Sequence, residues 1–399
     1  MPKISKKKFI LAGLVFLLII AAGLVAFFLF QPRPDQKSSK KELSVAEKHW
    51  QKVFAKAFEP VDCPKPRNPK TLPAGYYKGP LIDTHIHMKS LPDSDPEGPL
   101  DGNSDNIGTK LSIDKWVCMM NVEGTKAAFT FFPVWKPIVQ ESVDLVKQTL
   151  KRYPNRFIPF IMPPDDDGSP SGYPTVDAKE LEEILNVEPG LFVGYGEIGL
   201  YSRDGGAPAL LPDSERLLGI YPVVRKHNLV VYSHPGFKQK EALAKVAAVN
   251  RDITFIFHGG HLYKIPKDQV GISHDPKILV DIEEILENNP NVYYGVDELY
   301  GGDWLLEPGR SKKKFLDNFT DYKKLLQIDL GMWKRFIERH PDQVIWGTDR
   351  GVSASWDKDA DVALTLNNYI RAFIGKLDPA VQEKFAYKNA ERLFSKTMK

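Results

Sequence analysis

The sequence predicts an α/β fold: a (β/α)8 TIM barrel with an N-terminal transmembrane helix and a helical insertion before strand 8. Three observations point there. Eight short apolar runs are spread through residues 80–399, helical patterns separate them, and five of the runs end in histidine or a carboxylate. Runs that are apolar throughout, with no polar alternation, belong to a parallel sheet covered by helices. A doubly wound open sheet is the alternative, but no glycine-rich dinucleotide loop follows the first run. A length of 399 residues suits two or three average domains or one large barrel with insertions.

The elements follow in order. Lys3, Lys6, Lys7 and Lys8 make residues 1–8 a basic N-terminus, and residues 9–30 form an uncharged run long enough to cross a bilayer as a helix. The bulky Phe27-Phe28-Leu29-Phe30 at its end lacks the small residues of a cleavage site, so an uncleaved anchor is expected. Arg33, Lys37, Lys40 and Lys41 follow closely, so the basic residues nearly balance across the span. The expectation is a single-pass membrane protein of signal-anchor type with its globular domain outside the cytoplasm. Residues 31–79 are a linker and lead-in: 31–41 are rich in Pro, Lys and Ser, and 42–57 place Leu43, Val45, Ala46, Trp50, Val53 and Phe54 at helical spacing.

Within 80–399 the strand-like runs are 81–87, 126–132, 157–162, 191–198, 229–234, 253–258, 292–296 and 344–347. Helical patterns lie near 113–122, 138–152, 177–187, 213–227, 238–248 and 276–288, with a longer insertion at 311–339 and closing helices near 357–375 and 378–395. Residues 88–110 form a long loop rich in Asp, Pro and Gly.

Charge bounds the partners. The chain carries a net +3, but residues 1–41 hold eight Lys/Arg against Asp35, which leaves residues 42–399 at −4. A mildly acidic domain argues against broad nucleic-acid binding, which needs a basic face. The expected partners are a small-molecule substrate and, through residues 9–30, the lipid bilayer. Oligomeric state has no signature here. Cys63 and Cys118 make no thiolate zinc motif, and their spacing does not argue for a disulfide.

The chemistry sits at the strand ends, where barrels place it. Leu81-Ile82-Asp83-Thr84-His85-Ile86-His87 ends the first strand in a His-x-His pair, whose imidazoles share one face because side chains alternate. Glu197 stands in Gly194-Tyr195-Gly196-Glu197-Ile198-Gly199, His234 in Tyr232-Ser233-His234-Pro235, His258 in Phe257-His258-Gly259-Gly260-His261, and Asp349 in Gly347-Thr348-Asp349-Arg350. Imidazoles and carboxylates with an open position suit Zn²⁺ or a similar divalent ion, which brings the pKa of bound water to about 7. Each residue also has a plainer reading: a core histidine, a buried ion-pair partner at Glu197, a cap or an Arg350 partner at Asp349. His227 and His340, just before strands, read as structural, and Asp297, Tyr300 and Trp304 after the seventh strand as pocket lining.

Together these strand ends resemble the amidohydrolase superfamily, over roughly residues 80–395. The His-Gly-Gly-His turn and the Gly-Thr-Asp-Arg ending look like its amidohydrolase-related branch, whereas Gly-Glu-Ile-Gly looks like TatD-type nucleases. The resemblance implies metal ligation by His85, His87, Glu197, His234, His258 and Asp349, with one or two ions per chain. It makes Asp349 the general base and His258 either a second-ion ligand or a substrate-orienting group. The implied activity is metal-dependent hydrolysis of a small amide, ester or lactone. The alternatives are decarboxylation on the same scaffold and a TatD-like nuclease or phosphodiesterase.

Overall fold

The computed structural model describes residues 43–65, 68–102, 107–202, 209–236, 238–259, 279–297, 299, 311–319, 322–351 and 359–397. Eight parallel strands pair in chain order: β1 (Leu81–His87), β2 (Thr125–Pro133), β3 (Phe157–Met162), β4 (Gly194–Gly199), β5 (Val230–His234), β6 (Phe255–His258), β7 (Val292–Val296) and β8 (Val344–Trp346). The first and last strands meet. Thr84 Oγ1 donates to Trp346 O at 2.8 Å, His87 N donates to Arg350 O at 2.8 Å, and Ile86 pairs with Arg350 in parallel. The sheet is thereby a nearly closed barrel, as the eight apolar runs predict.

Helices alternate with the strands: α2 (Ile113–Glu123), α3 (Val139–Arg152), α4 (Ala178–Val187), α5 (Glu215–Lys226), α6 (Lys240–Val249) and α7 (Val280–Asn288). Several starts are written in the sequence. Ser112, Asp177 and Ser214 each accept a hydrogen bond from the backbone N–H three residues on, satisfying donors that the first helical turn leaves open. Before β8 the expected helical insertion is α8 (Lys312–Asn318), α9 (Tyr322–Asp329), a π-helical stretch (Leu330–Lys334) and α10 (Arg335–Arg339). The chain closes with α11 (Ala360–Ile374), α12 (Pro379–Glu383), a second π-helical stretch (Lys384–Lys388) and α13 (Asn389–Thr397).

Strand parity sorts the core into two layers. Phe129, Phe131, Ile158, Phe160, Tyr232, Ile256 and Ile345 fill the barrel interior, whereas Ala128, Phe132, Phe157, Ile161, Val231 and Phe257 pack outward against the helices. A lead-in helix, α1 (Val45–Ala57), lies in its expected place with Val53 and Ala57 buried. The segment after it is tied to α2 by a Cys63–Cys118 disulfide, with Cα atoms 5.5 Å apart, a link the spacing did not argue for. Arg371 of α11 fastens the same region, donating to the carbonyls of Tyr77, Gly79 and Gly124.

The membrane expectation is corrected. Among the described residues no helix is long and apolar enough to cross a membrane, so a single-pass membrane protein has no support, and the run at 9–30 lies outside the described residues. That reading rested on the hydropathy of the run, its flanking lysines and the bulky residues at its end.

Candidate metal centre

Two strands, β5 and β6, deliver their side chains by simple alternation. Tyr232 and Ile256 face the barrel interior, so His234 and His258, two residues on, do so as well. Asp349 follows β8 by three residues, with φ at +49°. β1 and β4 do not follow the alternation. Each carries one extra residue relative to its neighbour, between Asp83 and Ile86 and between Tyr195 and Ile198. Counted from Ile82, which faces inward, His85 and His87 would point out; the bulge turns them in. The same device turns Glu197 inward after outward-facing Tyr195. Gly196 permits it: its φ is +128°, and a Cβ there would stand 1.9 Å from Tyr232 O.

The six expected residues converge. His85 Nε2 and His87 Nε2 are 3.1 Å apart, and Asp349 Oδ1 lies 3.2 and 3.1 Å from them. Glu197 Oε2 is 3.3 Å from His85 Nε2 and 3.4 Å from His87 Nε2. Its other oxygen, Oε1, is 3.0 Å from His234 Nδ1 and 2.7 Å from His258 Nε2. His85, His87 and His258 are buried, and the Asp349 side chain is 18 % exposed at the mouth.

This donor set fits a divalent ion. Ligands at about 2.0–2.1 Å around a tetrahedral centre stand about 3.3 Å from one another, and the Nε2 atoms of His85 and His87 lie 3.1 Å apart and 3.1 to 3.4 Å from the Glu197 and Asp349 oxygens. In a second trio, Glu197, His234 and His258, the donor atoms all lie within 4.8 Å of one another. Burial of Glu197, Asp297 and part of Asp349 together also demands positive charge nearby, since lone buried carboxylates are costly.

A family model for amidohydrolases matches residues 82–396. The chain belongs to the amidohydrolase family. It is an enzyme of that superfamily, in the amidohydrolase-related branch that the Gly-Thr-Asp-Arg ending resembles. No curated protein matches it. Among solved structures it is similar to a probable 2-pyrone-4,6-dicarboxylic acid hydrolase from Acinetobacter baumannii with citric acid bound, at 12% identity and a TM-score of 0.47, covering 79% of this chain and 99% of that one. An amidohydrolase from Burkholderia multivorans with bound zinc matches at 12% identity and a TM-score of 0.45, covering 79% and 99%. A dihydroxybenzoic acid decarboxylase from Polaromonas sp. JS666, with bound manganese and 2-nitroresorcinol, matches at 15% identity and a TM-score of 0.42, covering 79% and 96%.

In this amidohydrolase-family barrel one further carboxylate organises the centre. Asp297, just past β7, places Oδ2 at 3.0 Å from His85 Nδ1 and 2.6 Å from His258 Nδ1. A neutral imidazole that donates Nδ1–H outward presents its Nε2 lone pair inward, which is the arrangement a ligating histidine needs. His87 Nδ1 has Ile107 O at 3.4 Å in the same capacity. The sequence reading placed Asp297 only in the pocket lining; its position at a strand end was the signal that it belongs with the others.

Electrostatics reflect the crowding. Burial opposes charge on His87, but the Asp349 and Glu197 carboxylates outweigh it and push the imidazole up to about 10. His85 and His258 move upward for the same balance of reasons, with Asp349 the main carboxylate for His85 and Asp297 for His258. His234 moves downward, because burial and the neighbouring His258 charge both disfavour its cation. Burial alone would raise the Glu197 carboxyl, yet His258, His234 and His85 hold it well below the usual range.

The remaining assignments sort cleanly. His227 meets Glu182 at 3.0 Å, and His340 packs against the Phe336 ring, both away from the centre as expected. Arg350 takes Glu123 as its partner, bonded through two guanidinium nitrogens, which leaves the Asp349 carboxylate to the histidines. His261, Tyr300 and Trp304 lie outside the described residues.

Proposed function

We propose that this chain is a two-ion, metal-dependent hydrolase that cleaves a small amide, ester or lactone, with zinc the best-suited ion. One observation carries the reading. The two oxygens of Glu197 address different histidine pairs, Oε2 the His85–His87 pair and Oε1 the His234–His258 pair. A carboxylate split in this way suits a bridge between two ions, and paired ions favour hydrolysis over one-ion decarboxylation.

His85, His87, Glu197 and Asp349 would hold one ion, and Glu197, His234 and His258 the other. Bound there, such ions supply Lewis acidity and an acidified water at neutral pH. The protein's own groups do the rest. Asp349, part-exposed at the mouth, accepts the proton of the attacking water and returns it to the leaving group. Asp297 keeps His85 and His258 oriented, and the aromatic floor of Phe131, Phe160 and Tyr232 closes the centre from below.

The test is metal analysis of the purified chain, followed by an ester, lactone and amide panel. Two ions per chain and turnover lost on chelation support the reading. One ion, an innocuous E197A and release of CO₂ from an aromatic carboxylate would replace it with the decarboxylase.

A further inference from the structure

Asp349 holds an unusual backbone conformation, with φ at +49°, in the left-handed region that non-glycine residues seldom occupy. Strain of this kind persists only where the surroundings enforce it. The residues on either side of Asp349 show how. Thr348 Oγ1 donates to Asp83 Oδ2 at 2.6 Å, and Asp83 Oδ1 in turn accepts from His85 N at 3.1 Å. Arg350 O accepts from His87 N at 2.8 Å. The Arg350 guanidinium then runs into the wall between β1, β8 and α2. Nη1 bonds Glu123 Oε1 at 2.5 Å, Nη2 bonds Glu123 Oε2 at 3.0 Å, and Nε bonds Thr348 Oγ1 at 3.1 Å. Asp83 Oδ2 lies 3.6 Å from Nη2, and the Trp116 ring lies 5.8 Å from the guanidinium carbon.

We infer that the Arg350–Glu123 pair is a buried latch that positions Asp349, and with it the His85–His87 edge of the metal centre. The inference rests on the proposed metal-dependent function. Arg350 is a positioning residue: its side chain is 1 % exposed and each of its three nitrogens is bonded within the wall, so a substrate anion has no route to it. The forked geometry matters because a planar guanidinium bonded twice to one carboxylate fixes direction as well as distance. Glu123 is a firm anchor. It ends α2, whose Cys118 is bonded to Cys63, and the next residue, Gly124, caps the helix and is held by Arg371. One chain of contacts thus joins the outer helix to the residue at the barrel mouth, through the seam where the barrel closes.

The experiment compares wild type with R350K, E123Q and the apolar pair E123L/R350M in the full chain. R350K and E123Q keep the shape but break the fork; the apolar pair removes buried charge together, a replacement that cores often tolerate. Three readouts are taken: the melting temperature without metal, zinc affinity by competition with a chromophoric chelator, and a crystal structure of the variant that folds best. We expect variants that fold yet bind zinc about ten- to hundredfold more weakly, the range seen when groups that orient ligands are lost. We also expect Asp349 to leave the left-handed region. A folded variant with wild-type zinc affinity and Asp349 unmoved overturns the latch. If wild type itself binds no zinc, the functional reading has failed, and the conformation of Asp349 in the variant structure alone decides the latch. If the apolar pair does not fold, R350K and E123Q decide it.

Discussion

Asp297 Oδ2 lies 3.0 Å from His85 Nδ1, while His85 Nε2 faces His87 and Asp349. One carboxylate therefore sets which nitrogen of the ring is free to ligate. In D297N the amide can donate where the carboxylate only accepted, so the imidazole can adopt the other tautomer. Metal affinity should fall by about ten- to hundredfold. A competition titration with zinc checks it, and unchanged affinity would remove Asp297 from the centre.

Asp349 has a different task. D349N should lower turnover on the best panel substrate by about a hundred- to ten-thousandfold, the usual worth of a positioned proton-transfer group. Most of the loss should fall on kcat. A variant whose KM alone rises would make Asp349 a binding group and leave the proton to another residue.

Stability should depend on the Cys63–Cys118 bond. It closes a span of 55 residues, and in the chain-entropy view such a cross-link is worth about 4 kcal/mol. C63S/C118A, and wild type in reductant, should both unfold at lower urea concentration, by similar amounts. Coincident unfolding curves for oxidised and reduced protein would show that the link restrains nothing.

The pH response should carry a mark of His340. Burial lowers its pKa below the ordinary 6.5, with Glu283 only partly opposing that. A lowered value means that the unfolded chain takes up the proton before the native one. Stability is thus fully present above pH 6.5 and declines as the pH falls from there through the folded value. Melting temperatures measured from pH 8 to pH 5 should fall less steeply for H340Q than for wild type. Parallel curves would exclude a contribution from this histidine.

Local pattern alone determined much of this molecule. Eight apolar runs gave eight strands, with starts that differ by three residues or fewer, because burial on both faces of a parallel strand is visible as unbroken hydrophobicity. The strand-end histidines and acids were legible for a similar reason: in a barrel, position along a strand fixes position in space. Tertiary structure decided the rest. The bulges in β1 and β4 leave no trace in a pattern of apolar residues, yet they turn His85, His87 and Glu197 inward. Arg350 stands next to Asp349 in the chain but bonds Glu123, 227 positions away, and Cys63 finds Cys118 across 55. Such pairings depend on which strand seam closes and which helix lies over it. Periodicity records which face of an element is buried, whereas the partner it is buried against is chosen only when the whole barrel closes.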